Sequence, residues 1–183
     1  MTNKKDLDEL HETISSCTLC PLHETRTIAV PGEGSPNANL FLVGEAPGAK
    51  EDETGRPFVG RSGKLLTTMI NEIGLSREDV FITSILHCRP PNNRTPTQSE
   101  RMICRPYIEK QIELINPRVI VLLGGTAISS MVGPWKVTES HGTFFEAHGR
   151  TYFMTFHPAA ALRSTGVKEL MGADFKVLQS ELL

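Results

Sequence analysis

Residues Gly44 to Gly63 read GEAPGAKEDETGRPFVGRSG. The stretch follows an apolar run, Asn39-Leu-Phe-Leu-Val43. It precedes Lys64-Leu-Leu-Thr-Thr-Met-Ile-Asn-Glu-Ile73, whose Leu65, Leu66, Met69, Ile70 and Ile73 share one helical face. A strand enters, a loop intervenes and a helix leaves. In open α/β sheets, the loops beyond the carboxyl ends of strands are where ligands bind. Connecting loops usually run about 4–6 residues. One this long, and this dense in glycine, proline and carboxylate, reads as a ligand site rather than a solvated acidic turn. Its glycines permit close approach of backbone to a ligand, Glu45, Glu51, Asp52 and Glu53 offer acid/base groups, and Phe58 offers a stacking face.

Upstream, Leu7, Leu10 and Ile14 at helical spacing predict a short helix over 5–16 that delivers Cys17 and Cys20. Pro31 to Pro36 reads as loop. Downstream, Gly74 suits a helix end, and Asp79 to Leu86 is β-branched and apolar enough for a buried parallel strand. That strand runs into His87-Cys88-Arg-Pro-Pro-Asn-Asn-Arg-Thr-Pro96, which cannot be helical. Thr97 and Glu100 form a capping box for a helix carrying Cys104, with a kink or break expected at Pro106. A third strand spans 118–123, followed by Gly124-Gly125 and a short helix through Met131. A β pair is expected around Thr143 and Gly149, then a fourth strand, Thr151 to Phe156, stopped by His157-Pro158. A last helix runs from Val167 to about Leu182. Such alternation predicts a single three-layer α/β domain spanning residues 1–183, with a mostly parallel sheet.

A chain of 183 residues can bury a core of its own without staples. No window approaches the ~18 uninterrupted apolar residues of a membrane span. The N-terminus, MTNKKDLDEL, has no apolar signal region, so an intracellular protein is expected. A net charge of −2 argues against a general polycation, yet nucleic acid needs only a local basic face. Arg56, Arg61, Lys64, Arg89, Arg94, Arg101, Arg105 and Arg163 could supply one, or could be scattered solubilising charges.

Cys17 and Cys20 form a Cys-x-x-Cys, with Cys88 and Cys104 far downstream. In a reducing compartment, four cysteines with one tight pair suggest a metal centre. Zinc and an iron–sulfur cluster both accept four thiolates, and the spacing alone does not choose between them. Three strand ends then converge on one sheet edge: Gly44-Glu45, Ser84 to Cys88, and His157-Pro158. A histidine opposite a glutamate loop with a stackable Phe58 suits a planar ligand.

Several segments together resemble the family 4 uracil-DNA glycosylases, the iron–sulfur type of bacteria and archaea. They are Gly44-Glu-Ala-Pro-Gly48, Glu51-Asp52, Gly55-Arg-Pro-Phe-Val-Gly60, Cys88 to Pro96, His157-Pro-Ala-Ala-Ala-Leu-Arg163 and the four cysteines. The resemblance covers roughly Cys17 to Ser164. It implies an α/β/α sandwich around a four-stranded parallel sheet, and a four-iron four-sulfur (4Fe-4S) cluster on Cys17, Cys20, Cys88 and Cys104. It implies a DNA-repair hydrolase, monomeric and cytoplasmic in a prokaryote, that flips a deaminated base out of single- or double-stranded DNA and cuts its N-glycosidic bond. Glu45 and His157 are then the catalytic pair: His157 hydrogen-bonds the charge developing at uracil O2, and Glu45 positions water and stabilises the sugar cation. Gly44 and the backbone of Ala46 border the base, Phe58 stacks on it, and Glu51 stands at its C5 edge, where it would exclude thymine. Leu162 is the expected wedge into the minor groove, Ala161 being the alternative position, and Arg163 a phosphate contact.

The chain departs from the family pattern at Ser84, where most members carry an asparagine that reads uracil O4 and N3–H. A hydroxyl suits either edge polarity, whereas an oriented amide rejects cytosine's reversed pattern. Weaker uracil selectivity, or activity on hypoxanthine or xanthine, is the expectation. His87, where lysine is common, is expected to be a solvent contact. Two other classes compete: a zinc or cluster protein that grips nucleic acid without cutting it, and a small-molecule hydrolase. The first is opposed by Glu45, Phe58 and His157 occurring together, the second by the absence of a Gly-x4-Gly-Lys-Ser/Thr motif.

Overall fold

The computed structural model describes residues 2–182. Strands β1 (Glu33–Gly34), β2 (Leu40–Gly44), β3 (Phe81–Ser84), β4 (Val119–Leu123), β5 (Thr143–Ala147) and β6 (Arg150–Thr155) form one sheet, ordered β1-β3-β2-β4-β6-β5. The four expected parallel strands are its centre, β3-β2-β4-β6. The sheet as a whole is mixed and six-stranded, which corrects the four-stranded expectation. β5 adds antiparallel to β6 through a hairpin in which His148 and Gly149 both hold positive φ, 52° and 70°, the geometry that tight hairpins favour. β1 adds antiparallel to β3 at the other edge, where Gly34 lies so close that a Cβ would stand 1.9 Å from the Val80 carbonyl oxygen.

Residues of β2 and β4 are buried on both faces, as a parallel sheet between helices requires. Leu40, Leu42, Val119 and Val121 face helix α3 (Arg61–Glu72) and helix α8 (Thr165–Leu182) in one core. Their sequence neighbours Phe41, Val43, Ile120 and Leu122 face the other layer, built by α1 (Thr2–Ser15), α4 (Gln98–Ile115) and α5 (Gly125–Met131). Period-two alternation thus sorts the strands into two cores and yields the three layers.

Thr97 caps α4 as expected, its side chain accepting from Glu100 N–H at 3.2 Å. The helix does not break at Pro106. Pro106 and Met102, whose carbonyl loses its i+4 donor, are both on the exposed side, where water can take the place of that donor.

The parallel centre brings the strand ends to one edge. Gly44 and Ser84 are paired in register, and His157 follows two residues after β6. Gly124, leaving β4 at φ 88°, donates its N–H to the Thr155 carbonyl at 2.9 Å and passes against His157. A Cβ on Gly124 would sit 2.8 Å from the Cβ of His157, so a glycine is needed there.

Candidate active site

Between these strand ends lies a cavity of about 270 Å³. Glu45, Ala46, Glu51, Phe58, Ser84 and His157 line it, so the predicted pocket residues from three separate segments are brought together. Gly44 lies beneath them. Its missing side chain makes room for the Phe58 ring, because a Cβ there would stand 2.5 Å from Phe58 Cζ. Phe58 holds a left-handed φ of 50°, uncommon outside glycine and asparagine. The conformation is over-determined by its surroundings: Arg77 donates to the Phe58 carbonyl at 3.0 Å and to that of Pro57 at 2.7 Å. Gly63, opening the way for α3, lets that helix abut the Phe58 carbonyl.

Glu51 is the staple of the loop. It sits in the first turn of α2 (Ala49–Thr54), 9% exposed, and its carboxylate accepts from Gly48 N–H at 3.1 Å and from Val59 and Gly60 N–H at 2.9 Å each. Three amides therefore hold the two limbs of the loop around one charge. The other loop carboxylates do different work: Asp52 is buried and accepts from Thr27 N–H at 2.9 Å, while Glu53 is exposed and pairs with Lys50. No acceptor among the described residues takes the N–H of Glu45 or Ala46, which leaves these amides for a ligand.

The His157 ring stands 5.7 Å from that of Phe58, centroid to centroid, at 34°. It caps the short helix α7 (Pro158–Ala161): Nδ1 accepts from Ala159 N–H at 3.1 Å. An acceptor Nδ1 puts the proton of the neutral ring on Nε2, as a donor. Burial, then the charge of Arg163, push the ring down to about 4 against a smaller opposing pull from Glu51. The imidazole is thus neutral at pH 7, an N–H donor rather than a cation. Ser84 is 6% exposed at the cavity wall, its hydroxyl without a hydrogen-bond partner among the described residues.

Beside this cavity runs a wider groove bordered by Lys50, Arg61, Leu162 and Arg163. Leu162 is 41% exposed at the end of α7, whereas Ala161 is buried in the core, so of the two wedge positions only Leu162 can reach outward.

The four cysteines are free thiols in one neighbourhood. Cys20, Cys88, Cys104, Leu22 and Tyr107 pack together with Ala46, so the cysteine site and the cavity share a wall. Arg26 donates to Cys88 Sγ at 3.0 Å and to the Ser15 carbonyl at 3.0 Å. Burial raises Cys88 against the pull of Arg26, and pushes Cys104 up to about 12. Thiolates here need cationic compensation, which suits a metal-centred group. Among the described residues, no three His, Cys, Asp or Glu side chains form a group that could hold a metal ion. An all-thiol donor set is one that both zinc and an iron–sulfur cluster accept.

His87 corrects its expectation. It is buried, not solvent-exposed, with Nδ1 hydrogen-bonded to the Val30 carbonyl at 3.0 Å and Nε2 unpartnered among the described residues. Since Val30 N–H also donates to the His87 carbonyl at 2.8 Å, the residue straps the 26–31 segment to the end of β3. Arg26, Arg77 and His87 were missed as site supports because their jobs depend on segments distant in sequence.

An α/β fold with a pocket holding an aromatic face, a neutral histidine donor and a carboxylate at the carboxyl ends of its strands has the arrangement of an enzyme site for a planar ligand. Comparison with known proteins agrees. Residues 31–179 match the family model of the uracil DNA glycosylase superfamily. The chain is 44% identical to the type-4 uracil-DNA glycosylase of Sulfurisphaera tokodaii, over 94% of this chain and 83% of that protein. It is 47% identical to that of Thermotoga maritima, over 89% and 86%, and 43% identical to that of Archaeoglobus fulgidus, over 94% and 91%. This chain belongs to the type-4 uracil-DNA glycosylases. It is a DNA-repair hydrolase that acts on N-glycosidic bonds. No helix among the described residues is long and apolar enough to cross a membrane.

Proposed function

We propose that the cavity receives a deaminated base flipped from DNA, with Phe58 stacked on its face and His157 Nε2–H donating to O2. The observation that carries this reading is the His157 tautomer, with Nδ1 occupied by Ala159 N–H and the donor left free. As the glycosidic bond breaks, negative charge collects on the base, and a neutral donor with the open Glu45 and Ala46 amides stabilises it in a water-poor site. Glu45 stands at the same wall to orient water and offset positive charge on the sugar. Leu162 wedges into the stack, and Lys50, Arg61 and Arg163 hold phosphates along the groove. Cys17, Cys20, Cys88 and Cys104 hold a 4Fe-4S cluster, with the Arg26 guanidinium offsetting thiolate charge. When bound, that group supplies a rigid cross-link of the N-terminal segment, the 88–97 loop and α4 behind Ala46. The chain acts as one domain and as a monomer, in the cytoplasm of a prokaryote.

Ser84 favours a broadened base preference. A rotatable hydroxyl reads the base edge less strictly than an amide, and losing a bidentate reader forfeits about 1–3 kcal/mol of discrimination. Excision assayed on single-stranded oligonucleotides carrying uracil, hypoxanthine or xanthine tests it, with Ser84→Asn alongside. The variant should shift the ratio toward uracil by about 5–150-fold. An unchanged ratio sinks the specificity reading, and full activity of His157→Ala sinks the assignment of the donor. Iron and sulfide content of the purified protein tests the cluster.

A further inference from the structure

Behind the 88–97 loop, α4 and α5 enclose a second cavity of about 170 Å³. Gln98, Arg101 and Arg105 from α4 and Ser129 and Ser130 from α5 give it a polar side, and Ile85 and three further apolar side chains of α4 and α5 complete the lining. Ile85 directly follows Ser84, and the loop whose Pro90, Asn93 and Arg94 line the base cavity runs straight into Gln98. The two cavities therefore flank one loop.

The charge in this second cavity lacks an answer within the protein. Arg94 pairs with Glu100 and Arg105 with Glu109. Arg101 has no ion pair among the described residues; its Nη1 reaches only the hydroxyls of Ser129 at 3.3 Å and Ser130 at 3.2 Å. Its Nε is shut away from solvent and lacks any acceptor. Arg101 is half-buried, and with no carboxylate against it among the described residues, its Nη groups beside the two hydroxyls are the part of the guanidinium that an anion in the cavity can reach. Arg105 flanks it, donating to the Ser130 carbonyl at 2.9 Å. At roughly 30 Å³ per water, the space equals about six waters, enough for a phosphate group.

We infer that the Arg101, Arg105, Ser129 and Ser130 cradle is a phosphate-binding site, separate from the basic groove beside Leu162. Guanidinium forks and hydroxyls suit the oxygens of a phosphate. The phosphate comes either from a DNA strand continuing past the excision cavity or from a free nucleotide. Only the first source rests on the DNA-binding mode proposed above.

The full-length protein, labelled with ¹⁵N-arginine, is titrated with inorganic phosphate, with dUMP and with a uracil-free single-stranded oligonucleotide. The Arg101 Nε–H resonance, assigned with Arg101→Gln, should move with phosphate and saturate. If the source is DNA, Arg101→Gln lowers the magnitude of the salt slope of oligonucleotide binding by about 0.7, and raises KM with kcat unchanged. If it is a free nucleotide, oligonucleotide binding is unchanged, and the variant loses the thermal stabilisation that dUMP gives the parent. An Arg101 resonance unmoved by all three titrants overturns the inference. Should Arg101→Gln fail to fold, Ser129→Ala, which removes one hydroxyl of the cradle, takes the same binding comparisons, and parent-like values throughout overturn it equally.

Discussion

Replacing Glu51 with glutamine keeps shape and removes charge. One carboxylate oxygen takes Val59 and Gly60 N–H and the other takes Gly48 N–H. An amide can accept at only one of these two places, so at least one buried N–H meets another donor. Hydrogen bonds to a charged group contribute about 1.5–3 kcal/mol each, and three of them set a ceiling that relaxation and hydration of the loop reduce. A loss of about 2–4 kcal/mol is expected, among the larger effects of a single change. The effect on activity should be greater in proportion. Val59 and Gly60 follow Phe58, whose positive φ is held in place from both sides, and a freed loop lets that residue relax toward ordinary backbone. Misplacing a binding surface by about 1 Å can cost roughly 10²-fold in rate. Equilibrium urea unfolding and kcat/KM on a uracil-containing single strand measure both quantities. A Glu51→Gln protein with the parent's midpoint and kcat/KM refutes the staple. If instead stability holds and thymine becomes a substrate, Glu51 acts at the C5 edge of the base and not through the loop.

Gly44→Ala places a methyl against the Phe58 ring, so kcat/KM should fall by about tenfold or more, with a stability loss of about 1–3 kcal/mol from overpacking; an active, well-folded variant would show that the ring does not define the pocket. His157 is held at about 4, below its ordinary value, so the ring stays neutral, with Nδ1 accepting from Ala159 N–H and Nε2–H as its donor, from neutral pH down to that point. Between about 6.5 and 4 the unfolded chain takes up a proton that the folded chain refuses, so this group makes stability fall as pH drops through that window. NMR titration of the ring checks it, and a midpoint near 6.5 contradicts the burial argument. Leu162→Ala should leave stability within about 0.5 kcal/mol, since the side chain is exposed, while slowing excision from duplex about tenfold more than from single strands; equal slowing on both would remove the wedge.

How far these features were legible in the sequence depends on how local their causes are. The central strands are buried on both faces, so Leu40 to Val43 and Val119 to Leu123 announce themselves as apolar runs. The β5–β6 hairpin was legible at Gly149. β1 was not, because two residues carry no periodicity and their pairing rests on Gly34 lying against Val80. Six pocket residues could be named because Glu45, Ala46, Ser84 and His157 stand at or just beyond strand ends, where the parallel order gathers them, and Glu51 and Phe58 lie on the glycine-rich stretch that leaves β2. Roles were harder to read than positions. Glu51 looks like a ligand group in sequence, yet its carboxylate is taken up by three amides. His87 reads as a polar loop residue, and only the 26–31 segment crossing it buries the ring. Arg101 is one arginine among many until α5 brings two hydroxyls and no carboxylate to it.

The sheet order has a consequence for how the molecule comes into being. Its centre joins strands that are distant in sequence, and the cavity draws on residues from Val30 to Ala159. Long-range parallel pairing must close large loops before its contacts can compensate, which makes such topologies slow to fold. During synthesis, the base pocket has no histidine wall until β6 has left the ribosome and inserted beside β4. Activity therefore switches on late and as a whole. A chain arrested after β4 would carry the glycine-rich loop and all four cysteines, yet excise nothing.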